Sequence, residues 1–289
     1  MVRTSAILVD GSGFIYRAYY ASPSLTDKDG RPVGAVFGFC SMLISLLKKH
    51  QILAEAVITN PFCVVFDSGR NTFRSQIYAK YKSNRQATPE ELKAQMPIFL
   101  EACEAFGIPT ISKKGFEADD IIATYSTKLS ERGYNVKIIS SDKDLMQLVS
   151  DNVSIFDPIK SKLIKANEVQ EKYGVLPHQM IFLQALMGDA SDNIPGVGGI
   201  GPKIAAKLVK EFKTSETLYQ NINDVRPFRI KEYLENQRSQ FNLSLRLVTL
   251  EKDIPLNINF DDLKILYNSS RAVNFLKSHG FSSLIRRLS

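Results

Sequence analysis

The chain has 289 residues, of which 44% are hydrophobic and 23% charged, with a formal net charge of +7. This is the composition of a folded globular protein and excludes disordered and fibrous classes; no apolar stretch is long enough to span a membrane. The opening MVRTSAILVD has too short an apolar run for a signal peptide, so a cytoplasmic protein is expected.

In chain order, the first predicted strand is AILVD, which ends at Asp10. A helical pattern follows over 36–49, then a second strand, CVVFD, ending at Asp67. From Ser68 to Pro89 there is no acid, while Arg70, Arg74, Lys80, Lys82 and Arg85 alternate with Phe73, Tyr78 and Tyr81. Charge runs are most often solvated helix faces. One without any counter-charge fits a phosphate backbone better, with aromatic faces for bases.

A helical pattern over 90–106 leads to GFEADD, which places Glu117, Asp119 and Asp120 in the first turn of another helix. Acids there suit the positive end of the helix dipole. Next comes VKIISSD, ending at Asp142 with Asp144 close behind in SSDKD, and then VSIFD, ending at Asp157. Strands alternating with helices predict an α/β fold with a mostly parallel central sheet flanked by helices, over about 1–175. The segment 176–289 reads as a helical lobe: a helix over 177–187, the acidic pair Asp189 and Asp192, a glycine hairpin, and a long helical pattern over about 227–250.

In such a sheet, loops at the carboxyl ends of the strands diverge around a crevice, so Asp10, Asp67 and Asp142 should meet there. For one such aspartate, capping the next helix is explanation enough; the repetition calls for another. Carboxylates gathered in one place repel each other unless cations lie between them. Cys40, Cys63 and Cys103 sit singly in apolar segments, and His50, His178 and His279 form no ligand cluster. All-oxygen donors favour Mg²⁺ or Mn²⁺ over Zn²⁺, and two such ions can drive phosphodiester hydrolysis.

The hairpin IPGVGGIGPKIAAKLV has glycines at 196, 198, 199 and 201, then Pro202 and Lys203 opening a helix. Glycines let backbone approach a phosphate closely, and free amides at the helix start point at it. Gly196, Val197, Gly198, Gly199, Ile200, Gly201 and Lys203 are therefore read as a helix-hairpin-helix grip on a DNA backbone. The same run also fits a flexible loop before a proline-started helix.

Together, ILVDGSGFIYRAYYA, FDS at 66–68, YKSNR at 81–85, GFEADD, SSDKD, GDASDN and GVGGIGPK resemble the 5′-3′ exonuclease domain of bacterial DNA polymerase I, within the flap endonuclease superfamily. The resemblance implies two Mg²⁺ ions, with Mn²⁺ able to substitute. Asp10, Asp67, Glu117, Asp119 and Asp120 would serve one, and Asp142, Asp144, Asp189 and Asp192 the other. Tyr81, Lys82, Arg85 and Arg74 match the family's gateway and helical arch, over about 70–100, where the scissile phosphate is contacted. The hairpin matches a duplex-binding motif that in relatives also holds K⁺.

The implied activity is 5′-3′ exonuclease and 5′-flap endonuclease cleavage in replication, including RNA primer removal, and in repair. The implied partner is DNA with a 5′ flap, nick or 5′ end, RNA-primed DNA included, bound by a monomer. Asp157 has no counterpart in the family pattern and is assigned to structure. A free-standing nuclease and a part of a longer polymerase fit equally well. A PIN-type RNase, a non-catalytic DNA-binding module and an aspartyl phosphatase built on Asp142 and Asp144 each account for part of the pattern.

Overall fold

The computed structural model describes residues 5–22, 24–50, 60–257 and 259–288. Its sheet has strands β1 (Ser5–Asp10), β2 (Phe62–Val65), β3 (Thr110–Ile111), β4 (Asn135–Ile139), β5 (Val153–Asp157) and β6 (Lys162–Ile164), in the order β3-β2-β1-β4-β5-β6. All neighbours run parallel except β5 and β6. The central strand β1 is buried from Ala6 to Asp10, which explains its unbroken apolar run: both faces are covered. The chain builds outward from β1 through β2 to β3, then returns to β1's other side with β4. That reversal makes the gap between β1 and β4 the switch point where the crevice opens.

Alternate side chains of β1 point to opposite faces. Ile7 and Val9 enter a core with Phe39 and Leu43 of α2 (Gly34–Lys49) and Phe99 of α4 (Glu90–Ala105). α1 (Gly11–Ala21) packs on α2 on that side. Ala6 and Leu8 enter the other core, with Ile121 of α5 (Ala118–Glu131) and residues of α7 (Met180–Met187), α8 (Pro202–Phe212) and α11 (Arg238–Val248). One continuous core therefore joins the sheet to the helical lobe.

The structure corrects the expected lobe of 176–289. α12 (Ser269–Ser278) and α13 (Ser282–Leu288) leave it and bury Leu276 and Leu284 in the core with α2 and α4. The return is tight at Gly107, whose carbonyl accepts from Leu266 N at 3.0 Å; an added Cβ would lie 1.9 Å from the Leu266 oxygen. The long helix expected over 227–250 is also two helices, α10 (Phe228–Asn236) and α11. The break falls at Gln237, whose side-chain amide accepts from Gly198 N at 2.7 Å and donates to Gly198 O at 3.2 Å, tying the break to the hairpin.

The segment expected as an arch is compact. α3 (Phe73–Ile77) is followed by turns over 79–85, and α4 buries Leu92, Phe99 and Cys103 against the sheet layer. The turns cross the crevice and are fastened on its far side: Asn84 donates to Ala190 O at 2.7 Å, and Asn193 donates to Lys80 O at 2.7 Å.

Candidate metal centre

Asp10 ends β1 and caps α1, accepting from Gly13 N at 2.8 Å and from Ser140 Oγ at 2.8 Å. Gly13 is required here, since a Cβ would fall 2.5 Å from Asp10 Oδ2. β2 and β4 stop at Val65 and Ile139, so Asp67 and Asp142 stand on the loops just beyond. Asp67 accepts from Ala118 N at 2.8 Å, placing its charge at the positive end of α5. Asp142 is set by a bond from its own amide to Ser140 Oγ, and in turn accepts from Asp144 N at 2.8 Å.

The second group gathers where α7 ends. Asp144, Asp189 and Asp192 offer oxygens that all lie within 4.8 Å of one another, a spacing suited to one cation. Asp189 and Ile194 exchange backbone hydrogen bonds that close the GDASDN loop and turn both of its aspartates inward. Asp142 connects the two groups, since its charge acts on Asp10 and Asp119 on one side and on Asp144 on the other.

Burial and the charge of neighbouring carboxylates raise Asp10, Asp119 and Asp144. Asp10 is pushed up to about 6 by burial, against the bonds from Gly13 and Ser140, with Asp142 and Asp67 adding to the rise. Asp144 is pushed up to about 7 by burial and then by Asp142. Asp119 lies well above the ordinary value for the same reasons, with Asp142 and Asp10 as the neighbouring charges. Asp189, despite its burial, is held below the ordinary range by Lys143 and Ser191.

Three basic side chains supply counter-charge. Lys82 Nζ lies 2.8 Å from Glu117 Oε1 and 3.6 Å from Asp192 Oδ2. Arg85 pairs with Asp192, and Lys143 Nζ lies 2.6 Å from Asp189 Oδ2 and 4.0 Å from Asp144 Oδ1. Sequence reasoning missed Lys143, although it lies between the two aspartates of SSDKD. It also missed Ser140 and Gln184, which donates to Asp144 Oδ1 at 2.6 Å. The donors are all hard oxygens with incomplete neutralisation, so the site fits divalent cations.

Several expectations are corrected. Asp120 is fully buried and points away from the crevice; both its oxygens accept from Arg74, at 2.7 Å each. It holds a guanidinium, so no face is left for a metal. Arg74 is 1% exposed and equally unable to reach a phosphate. Tyr81 is buried as well, its hydroxyl donating to Glu117 Oε2 at 3.0 Å, so its ring offers no stacking face. In the hairpin, Val197 and Ile200 anchor their side chains in the core, while Gly198, Gly199, Gly201 and Lys203 are exposed. Gly196 is buried against Gly188, where a Cβ would meet the Gly188 nitrogen at 2.3 Å.

The raised acids give a pH dependence with a definite sign. In the metal-free protein Asp10 and Asp144 bind protons more tightly folded than unfolded. Their contribution to stability is complete below the unfolded value of 3.8 and is lost as pH rises through about 6 to 7. Cations replace the lost protons. The rise in melting temperature on adding Mg²⁺ should therefore be larger at pH 8 than at pH 5. Equal rises at both pH values in differential scanning fluorimetry would mean that these carboxylates do not take the ion.

The comparisons with known proteins agree with this geometry. Residues 5–174 match the family model of the 5′-3′ exonuclease N-terminal, resolvase-like domain, and residues 175–270 that of the 5′-3′ exonuclease C-terminal SAM fold. DNA polymerase I of Rhizobium leguminosarum is 46% identical over 283 residues, which are 97% of this chain and 28% of that protein. The chain thus spans about a third or less of the polymerase relatives it matches first. The 5′-3′ exonuclease of Buchnera aphidicola subsp. Acyrthosiphon pisum is 37% identical over 96% of this chain and 97% of its own length. Among solved structures, T5 5′-exonuclease with bound divalent zinc ions aligns with a TM-score of 0.68 at 26% identity, covering 98% of this chain and 97% of that one. The bacteriophage T5 flap endonuclease solved with DNA and metal ions aligns at 0.66, also at 26% identity, covering 98% and 96%. With both domain models matched in order along one chain and a relative covered almost end to end, the chain belongs to the 5′-3′ exonuclease family of nucleases.

Proposed function

We propose that the chain hydrolyses DNA phosphodiesters at 5′ ends and at single-strand to double-strand junctions, as a 5′-3′ exonuclease and 5′-flap endonuclease. The observation that carries this reading is the convergence of Asp10, Asp119 and the Asp142–Asp144 loop from three separate stretches of chain, close enough that the Asp142 charge raises the affinity of Asp10, Asp119 and Asp144 for protons. Two Mg²⁺ ions, replaceable by Mn²⁺, would relieve that repulsion. Asp10, Asp67, Glu117 and Asp119 would hold one and Asp144, Asp189 and Asp192 the other, with Asp142 reaching both. Divalent ions bound there supply Lewis acidity and a water nucleophile at neutral pH.

The chain's own residues do the rest. Lys82 and Arg85, which lie across Glu117 and Asp192, would bind the scissile phosphate, with cations held at the site offsetting those acids. In the reaction they stabilise the charge that develops as water attacks in line, leaving a 5′-phosphate and a 3′-hydroxyl. Tyr81 and Arg74 act indirectly, as positioning residues for Glu117.

The hairpin grips the duplex through the exposed backbone of Gly198, Gly199 and Gly201 and through Lys203, reading phosphates and not bases. Lys203→Ala is expected to weaken duplex binding and to reduce the slope of log affinity against log salt by about 0.9. An unchanged slope in fluorescence anisotropy would remove Lys203 from the interface. K⁺ at the hairpin is a further part of the proposal. It would share the carbonyls of Gly196 and Gly198 with Gln240 and Gln237, each oxygen having a second lone pair.

Substrates with a 5′ flap, a nick or an RNA-primed end, action as a monomer in the cytoplasm, and roles in replication and repair complete the proposal. Among the described residues no helix is long and apolar enough to cross a membrane. The test is gel analysis of an end-labelled 5′-flap duplex and of single-stranded RNA, each with and without Mg²⁺. Cleavage at the flap junction only with Mg²⁺ is expected. Cleavage of the RNA alone would favour a ribonuclease, and binding without cleavage a non-catalytic module.

A further inference from the structure

Outside the carboxylate crevice, a cavity of about 330 Å³ lies between α1, α2 and the ends of β4 and β5. Phe14 and Phe156 form apolar walls, and Arg17, Ser41, Ser45, Lys49 and Ser161 are its polar lining residues. Among the described residues that line it there is no carboxylate. The Arg17 NH1 group is buried without a hydrogen-bond partner. Native structures rarely leave such a group unpaired unless something absent from the protein itself completes it.

The surroundings favour an anion as that missing partner. Lys49 Nζ lies 3.7 Å from the centre of the Phe156 ring, an arrangement that orients the ammonium without neutralising it. Arg287 donates to Ser41 Oγ at 2.6 Å, which leaves the Ser41 hydroxyl proton available to another acceptor. A guanidinium pairs with phosphate oxygens in a two-pronged fork, and the aromatic walls suit a flat ring. The volume is at the low end for small-molecule pockets, about 300–1,000 Å³.

We propose that this cavity is a binding site for a nucleoside monophosphate, with the phosphate on Arg17, Lys49 and the Ser41 hydroxyl and the base along the apolar wall beside Phe14. The same chemistry is offered by a free mononucleotide and by the phosphorylated terminal nucleotide of a strand. Arg17 lies two turns along α1 from Asp10, about 10 Å by helix rise, so the cavity neighbours the crevice without sharing its residues. The proposal does not depend on which reaction the crevice performs.

The test is isothermal titration of the full chain in EDTA with thymidine 5′-monophosphate and, in parallel, with thymidine. Saturable binding of the monophosphate and none of thymidine is expected. Arg17→Met and Lys49→Met should each weaken it at least tenfold; Lys49 is exposed, so its variant keeps the fold even if the first does not. No binding at millimolar concentration, or binding that persists undiminished in both variants, would overturn the site. Competition then names the source. Displacement by a 5′-phosphorylated oligothymidylate, but not by its dephosphorylated form, supports a strand end, and failure of both to displace supports the free nucleotide.

Discussion

Asp142→Asn is expected to lower the single-turnover cleavage rate on a 5′-flap duplex by about 10³-fold or more, while leaving DNA affinity within about twofold. The substitution keeps the shape of the side chain and the amide bond that sets its loop, and removes only the charge. That charge acts on Asp10 and Asp119 on one side and Asp144 on the other, so its loss reaches both halves of the proposed ion pair. Affinity should survive because the proposed duplex contacts lie at the hairpin, and a lost carboxylate lessens repulsion of the backbone. Asp157→Asn is the matched control. Asp157 also ends a strand, but it accepts from Ile159 N and Lys160 N and heads the turn into β6, so cleavage should change little. Full activity of Asp142→Asn with Mg²⁺ present would defeat the metal assignment.

The positions of the candidate metal-binding acids were legible because each is written at the end of a strand or at one end of a helix. An apolar run closed by an aspartate marks the carboxyl end of a buried strand, and Asp10 lies where that pattern predicts. Asp67 and Asp142 sit slightly beyond their strands, where their amides bond to Ser12 Oγ and Ser140 Oγ and not to a neighbouring strand. Other features depend on contacts that sequence spacing does not encode. Asp120 shares a helical turn with Glu117 and Asp119 and looks equivalent in GFEADD, yet at its position on α5 it faces inward toward α3. The return of α12 and α13 to the first core was hidden because an amphipathic helix announces that it will bury a face without saying against what. β3, a strand of only Thr110–Ile111, is too short to show any period.

Removing the Arg74 guanidinium should be the most destabilising single change among the residues named at the site. Arg74→Met is expected to cost about 3–5 kcal/mol, the range for breaking a buried ion pair from one side, and to lower the melting temperature by about 10 °C. Every donor of the fork is used. Nε donates to Leu247 O at 2.8 Å, NH1 to Asp120 and Glu117, and NH2 to Asp120 and to Thr249 O at 2.9 Å. The group thereby fastens α3 to the start of α5 and to the end of α11, joining the sheet layer to the helical lobe. With methionine in its place, Asp120 stays buried with an uncompensated charge and two carbonyls lose their donor. Arg74→Lys should recover little, because an ammonium cannot fill a planar fork of five donors. A double-mutant cycle with Asp120→Leu should show strong coupling, since the second change removes the stranded charge. If Arg74 instead served the DNA, Arg74→Met would leave the melting temperature unchanged and reduce the salt slope of binding, an outcome that would return it to the phosphate path.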